Sequence, residues 1–292
     1  MFKVLVTGAK GQVGSELVKL APAGFTVIGL GSAQLDITDQ NQVNAVVALH
    51  QPDLIINAAA YTSVDKAESD AGTAYAVNEL AVAWLAQAAA QANIPLFHIS
   101  TDYVFDGEST TPYKETDPVN PQSVYGASKL AGEQVLATTL NKHIILRTSW
   151  VFGVQGNNFV KTMLRLAKER DELSVVADQH GCPTSAISIA QVLWQLAENY
   201  KQDKSLPWGI YHFSNAPACT WHEFAMEIFQ QAKEKGLIDK LPKVNAITTA
   251  EYPTPAKRPS WSVFSNSKIE SLIEKLAPKW QRELTKFLDL IC

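Results

Sequence analysis

The stretch FKVLVTGAKGQVGSELVKLA, residues 2–21, decides the fold of this chain. Residues 2–8 form an apolar, β-branched run that ends in glycine, as a buried strand does. Residues 12–21 carry apolar positions at helical spacing. Between them Gly8, Gly11 and Gly14 stand three apart. Glycine lets a backbone turn tightly and lets a diphosphate approach a helix N-terminus, where free N–H groups and the dipole favour an anion. The spacing is GxxGxxG rather than GxGxxG, but it lies in the strand–turn–helix context that a dinucleotide-binding turn requires.

The same rhythm continues outward. Apolar runs at 25–30, 53–60, 95–100 and 143–149 read as further strands. Asp39 is placed to cap a helix over 40–50. Residues 67–92 form a long Ala-rich helical region, and another helix begins near 124. Strands that are apolar throughout, alternating with helices at crossover spacing, imply a parallel sheet covered on both faces. The expected fold is therefore α/β, a doubly wound parallel sheet of the Rossmann-like kind. After about residue 150, Gly, Pro, Asn and Trp become frequent and the alternation degrades. Residues 1–150 are read as the NAD(P)-binding domain. Residues 151–292 are read mainly as a smaller substrate-binding lobe, with some segments returning to the main sheet.

Composition narrows the function. The 292 residues carry a formal net charge of −4, which gives no footprint for nucleic acid or an anionic membrane. No apolar run reaches the roughly 18 residues that span a bilayer. The first residues lack the apolar core and cleavage site of a signal peptide. Cys182, Cys219 and Cys292 are scattered, without CxxC spacing. Reduced thiols in a cytoplasmic chain are expected, with no metal site.

Two short motifs point to carbonyl reduction. The fourth strand leads into Ser100, Thr101 and Asp102, at the C-terminal end where open α/β sheets collect ligands. In VYGASKLAGE, residues 124–133, Tyr125 and Lys129 are four apart and share a helix face. Hydride reduction of a ketone needs a proton for the developing alkoxide. An ordinary tyrosine, with a pKa near ~10, is too weak an acid until a neighbouring ammonium and a bound nicotinamide cation stabilise its phenolate. A lone YxxxK is common by chance; the glycine turn and the Thr after the fourth strand give it weight. Gly126 costs about 1 kcal/mol against Ala inside a helix, so a close neighbour is expected there. At the end of the second strand, Gly31 and Ser32 stand where an acid would reject a 2′-phosphate. NADPH is therefore the expected cofactor, with NADH also accepted.

The set TGAKGQVG (7–14), NAAAYTSVDKAE (57–68), STDYVFDG (100–107), VYGASKLAGE, ILRTSWVFG (145–153), NNFVKTMLRLAKER (157–170), DQHGCPT (178–184) and YPTPAKRP (252–259) resembles the extended short-chain dehydrogenase/reductases. The resemblance runs from residue 2 to about residue 260. It is nearest to the members that reduce the C4 ketone of dTDP-4-dehydro-L-rhamnose with NAD(P)H, and so implies a dTDP-sugar substrate. It implies Tyr125 as proton donor, Lys129 as its tuning partner and ribose ligand, and Thr101 as the third catalytic residue. It places Gly8, Gly11, Gln12, Val13 and Gly14 in the cofactor turn, Asp36 and Ile37 beside the adenine, and Ala60, Tyr61 and Thr62 along the cofactor channel. Thr101 and Asp102 would face the sugar, Trp150 would pack on it, and Lys161 and Arg258 would meet the diphosphate. Some members dimerise around magnesium held by glutamates. Glu16 matches one of these, but Ile187 stands where the second acid is expected, which makes a magnesium bridge doubtful and a monomer or weak homodimer the expected state.

Other readings remain at this stage. Sugar-nucleotide dehydratases share the YxxxK pair but usually place an Asp–Glu pair after the catalytic Thr; here Tyr103 follows Asp102. An epimerase uses the same hydride chemistry and then reverses it. A relative in this family serves as a non-catalytic regulatory subunit of methionine adenosyltransferase; intact Thr101, Tyr125 and Lys129 argue against that role.

Overall fold

A computed structural model describes residues 1–273 and 277–292. The first half runs β1 (Phe2–Thr7), α1 (Gln12–Lys19), β2 (Phe25–Leu30), α2 (Gln40–His50), β3 (Leu54–Asn57), α3 (Val64–Ala67), α4 (Ala71–Tyr75), α5 (Ala81–Gln91), β4 (Leu96–Thr101), α6 (Val124–Thr139) and β5 (His143–Thr148). The expected strands are all present: β2 has the expected bounds, β4 is shifted by one residue, and β1, β3 and β5 are shorter by one to four residues. Asp39 caps α2, its carboxylate accepting from the Asn41 and Gln42 N–H groups at 2.9 and 3.2 Å.

The second half adds β6 (Val151–Phe152), α7 (Phe159–Glu169), β7 (Glu172–Val176), β8 (His180–Gly181), β9 (Thr184–Ser185), α8 (Ala186–Asp203), β10 (Gly209–His212), β11 (Cys219–Thr220), α9 (Trp221–Glu234), β12 (Lys243–Ile247), α10 (Ser267–Glu270) and α11 (Trp280–Ile291). Among the described residues no helix is long and apolar enough to cross a membrane.

The main sheet has the order β10-β5-β4-β3-β1-β2 and is parallel throughout. One face is covered by α1 and α8, whose Leu17, Ile189, Leu193 and Trp194 pack on Val4, Val6 and Ile56. The other is covered by α2, α5 and α6, through Val43, Leu85 and Leu136 against Leu5, Ile55 and Ile145. This is the doubly wound arrangement expected. A separate apolar core, with Phe152, Met163, Phe224, Phe229 and Phe287, lies under α7, α9 and α11.

The Ala-rich helical region expected over 67–92 is present and runs from residue 71 to 91 through α4, a π-helical turn at Ala76–Leu80, and α5. The buried Asn78 sits in that turn and explains it. Its Oδ1 accepts from the Tyr61 N–H at 2.9 Å, and its Nδ2 donates to the Tyr61 carbonyl at 3.1 Å and to Ser128 Oγ at 3.0 Å. A π turn adds the residue that aims this amide at the loop after β3. Alanine and glycine make the approach possible: a Cβ on Gly132 of α6 would lie 2.0 Å from the Asn78 carbonyl oxygen.

Candidate active site

The site is built at the C-terminal ends of β1, β3 and β4. Gly8 has φ +67°, and a Cβ there would stand 2.6 Å from the Ala59 nitrogen. Only glycine fits that conformation against the loop after β3. A Cβ on Gly14 would lie 2.1 Å from the Gly8 carbonyl oxygen. No side chain caps α1 at its N-cap residue Gly11. The first N–H groups of α1, from Gln12, Val13 and Gly14, thus face a shallow cradle free of side-chain bulk. That cradle fits a dinucleotide diphosphate. Gln12 also reaches the start of α7, its Oε1 accepting from Asn158 Nδ2 at 3.0 Å.

The other expected cofactor residues follow β2 and β3, the strands on either side of β1. Asp36 is exposed and holds Thr38 through its Oδ1, at 2.9 Å from the N–H and 2.6 Å from the hydroxyl. Ile37 is buried, and Ala60, Tyr61 and Thr62 follow β3. The exposed Lys10 was missed by sequence reasoning. Its stem lies over Gly31, with Cγ and Cδ 3.1 Å from where a Cβ would be. This brings a cation to the strand end that governs a 2′-phosphate.

Thr101 closes β4. Its hydroxyl donates to Asp102 Oδ1 at 3.0 Å and accepts from the Tyr103 N–H at 3.3 Å. Ser123 caps α6 through a bond from the Gly126 N–H at 3.1 Å, which sets Tyr125 in the first turn. The close neighbour expected at Gly126 is the Tyr103 carbonyl, 2.2 Å from a hypothetical Cβ. The Tyr125 ring meets the Tyr103 ring edge-on at 5.4 Å. Burial raises the Tyr125 phenol above its usual range, the Thr101 hydroxyl works against this, and Asp102 and Tyr103 add to it. The ammonium was expected to lower that pKa; burial is the dominant effect and raises it.

Lys129 is buried beneath them. Its Nζ donates to the Ile99 carbonyl at 2.7 Å and contacts His98 Nε2 at 3.1 Å. Burial lowers its pKa to about 8, opposed by Glu133 one turn on. Asp102 is also buried and accepts from the Ser262 hydroxyl at 2.5 Å. Burial raises its pKa to about 6, against the pull of Ser262 and Thr101.

The outer residues differ in how closely they approach. Arg258 donates from Nη1 to the Tyr103 hydroxyl at 2.9 Å and from Nη2 to Asp65 at 2.6 Å, so it borders the catalytic group. Trp150 follows β5 in the left-handed region at φ +49° and stacks on Trp221 at 3.5 Å. Lys161 stands apart, its Nζ donating to the Val154 and Gly156 carbonyls of its own loop. Sequence reasoning missed Asn57, Asn78, His98 and Ser262. A polar residue inside an apolar run was the available signal for the first three; Ser262 gave none.

Comparison with known proteins agrees with this geometry. The chain is 49% identical over 286 residues to the dTDP-4-dehydrorhamnose reductase of Aggregatibacter actinomycetemcomitans, covering 97% of each protein. Its fold matches the crystal structure of a dTDP-4-dehydrorhamnose reductase from Clostridium acetobutylicum with a TM-score of 0.92 at 40% identity, over 99% of both chains. It matches the Bacillus anthracis enzyme of that name, solved in complex with NADP, with a TM-score of 0.92 at 39% identity, over 99% of this chain and 100% of the other. A family model described as the RmlD substrate binding domain matches residues 2–291, so nearly every element described above falls within it, and the chain belongs to that family.

Proposed function

We propose that this protein reduces the C4 ketone of dTDP-4-dehydro-L-rhamnose with NAD(P)H, giving dTDP-L-rhamnose in the last step of dTDP-rhamnose synthesis. The observation that carries the chemistry is the meeting of Thr101, Tyr125 and Lys129 at the end of β4, beside the uncapped N-terminus of α1. The choice of sugar nucleotide draws on the relatives named above. When bound, the nicotinamide supplies the hydride that reduces the carbonyl carbon. The N–H groups of Gln12, Val13 and Gly14 would hold the diphosphate, with Asp36 and Ile37 at the adenine end and Ala60, Tyr61 and Thr62 along the channel.

Tyr125 would give its phenolic proton to the ketone oxygen as the carbon is reduced, so that a C–H and an O–H bond form as the C=O π bond is lost. Burial keeps the phenol protonated, and neighbouring positive charge would have to lower its pKa for the proton to leave. Lys129 would then stabilise the phenolate and hold the ribose. Thr101 and Asp102 would orient the sugar, Trp150 would pack on it, and Arg258 with Lys161 would take the substrate diphosphate. Arg258 suits this task because a guanidinium can bind phosphate in two places. We assign residues 1–150 to the cofactor and 151–292 mainly to the substrate.

The test is NADPH oxidation with dTDP-4-dehydro-L-rhamnose, comparing wild type with Tyr125→Phe. That change removes the acidic proton with little loss of volume. A fall in kcat of about a hundred- to ten-thousand-fold is expected. Equal rates would overturn the assignment of the proton donor.

A further inference from the structure

His98 lies in the middle of β4, fully buried, at a position no step above uses. Its two ring nitrogens have different neighbours. Nδ1 is 3.0 Å from Asn57 Nδ2, and Nε2 is 3.1 Å from Lys129 Nζ. The orientation of the Asn57 amide is fixed from its other end. Its Oδ1 faces the Ala59 N–H at 3.1 Å and the Thr7 hydroxyl at 2.6 Å. A backbone N–H can only donate, so the atom facing Ala59 must be the oxygen. Asn57 Nδ2 therefore donates to His98 Nδ1, which carries no proton. A neutral imidazole then has its proton on Nε2, aimed at Lys129.

We infer that His98 is a positioning residue for Lys129: Asn57 selects the tautomer that donates from Nε2, and that donated hydrogen bond opposes the ammonium form of the lysine. With Lys129 as a neutral amine, its lone pair accepts from His98 Nε2–H and one N–H donates to the Ile99 carbonyl, so each contact along the chain Thr7/Ala59–Asn57–His98–Lys129–Ile99 pairs a donor with an acceptor. With an ammonium, Nε2 must accept. The imidazole proton then moves to Nδ1, where it confronts the Asn57 amide N–H across 3.0 Å. Relief requires turning the Asn57 amide, which strips the Ala59 N–H of its acceptor. A buried donor left without an acceptor is disfavoured. Ala59 packs against Gly8 in the cofactor turn, so the chain connects that turn to the proton affinity of Lys129.

Other charges around Lys129 do not replace this control. On its own helix lie Tyr125 and Glu133. On β4 and the turn after it lie His98 and Asp102. On β5 lies Arg147, bound to Glu133 through Nη2 at 2.6 Å. On β10 lies His212, which burial and Arg147 lower to about 3, so it stays neutral. Glu133 favours the ammonium, burial opposes it, and both stay constant when His98 or Asn57 alone is changed.

The tautomer can be read without turnover, from ¹⁵N NMR of the cofactor-free protein labelled at its six histidines. The His98 signals are identified by their loss in His98→Gln. The expected result is an unprotonated Nδ1 and a protonated Nε2. In Asn57→Asp the carboxylate accepts from Nδ1–H, so the tautomer reverses. A wild-type Nδ1–H tautomer, or a rapidly averaging pair, overturns the inference. The effect on Lys129 is read in His98→Gln, whose amide oxygen can accept from the ammonium. The alkaline limb of kcat/KM for ketone reduction should move up by about one pH unit. A histidine with a merely structural role would lower kcat/KM at every pH without moving that limb, and an unmoved limb refutes the control of Lys129. This part rests on the proposed reaction. Should wild type reduce no keto-sugar nucleotide, that proposal fails separately, and the pH dependence of NADPH binding, followed by protein fluorescence, carries the same expected shift.

Discussion

Asp102 is a buried carboxylate whose charge is costly to keep. Its pKa is raised from 3.8 to about 6 by burial, so the folded state binds its proton more tightly than the unfolded chain does. The stabilisation by that proton is complete below the unfolded pKa. It is lost as pH rises through about 6, leaving a burden on the order of 3 kcal/mol above that. Asp102→Asn should therefore stabilise the protein by about 1–3 kcal/mol near neutral pH and by little below about pH 4. Urea unfolding at the two pH values checks this, and a matching rise in substrate KM would show that the carboxylate is kept for binding. Lys10 supports a second expectation. Its stem lies over Gly31 at the end of β2, so Lys10→Ala should raise the KM for NADPH several-fold and that for NADH much less. Parallel changes in both constants would argue against a contact with the 2′-phosphate.

Among the elements, α6 matters most, because its first turn carries Tyr125, the proposed proton donor, and its second Lys129. Gly126 illustrates how tightly it is seated. Helix propensity alone favours alanine there by about 1 kcal/mol. A Cβ, however, would lie 2.2 Å from the Tyr103 carbonyl oxygen, and overpacking against backbone costs about 1–3 kcal/mol or more. Gly126→Ala should thus lower the melting temperature and kcat together, because relieving the clash moves Tyr125 away from Thr101. A stabilised variant with normal kcat would refute this. The need for a close neighbour at Gly126 was readable in the sequence, as were the strand–turn–helix at 2–21, the cap at Asp39 and the Tyr125–Lys129 face. All of these are local patterns within a few residues. The π turn at Asn78 was not readable. Its partners Tyr61 and Ser128 are 17 and 50 residues away, and the composition around it favours helix on both sides.

At the scale of the whole molecule, the loop around 252–264 clasps the main sheet. Ser262 reaches Asp102, the Ser260 hydroxyl donates to the Gly107 carbonyl at 2.6 Å, and Arg258 pairs with Asp65. These contacts join residues more than 150 apart, so periodicity and composition could not reveal them. The sequence did identify Arg258 as a phosphate candidate, but not Asp65 and Tyr103 as the groups that hold it. Arg258→Ala should raise the substrate KM by about tenfold or more while changing kcat less. The Arg258–Asp65 pair is partly exposed, so only a small stability loss should accompany the change. Steady-state kinetics together with thermal melting separates the two effects, and an unchanged KM would remove Arg258 from the site.

The stacked pair Trp150 and Trp221 has an optical consequence. Two indoles 3.5 Å apart and 9° from parallel share their excited states, so their transitions should split into a couplet of opposite signs in circular dichroism. The other five tryptophans would add an ordinary background to it. Because Trp150 follows β5 and Trp221 opens α9, the couplet reports whether these two segments stay in contact. The molecule thus carries its own unlabelled ruler for any movement of one against the other.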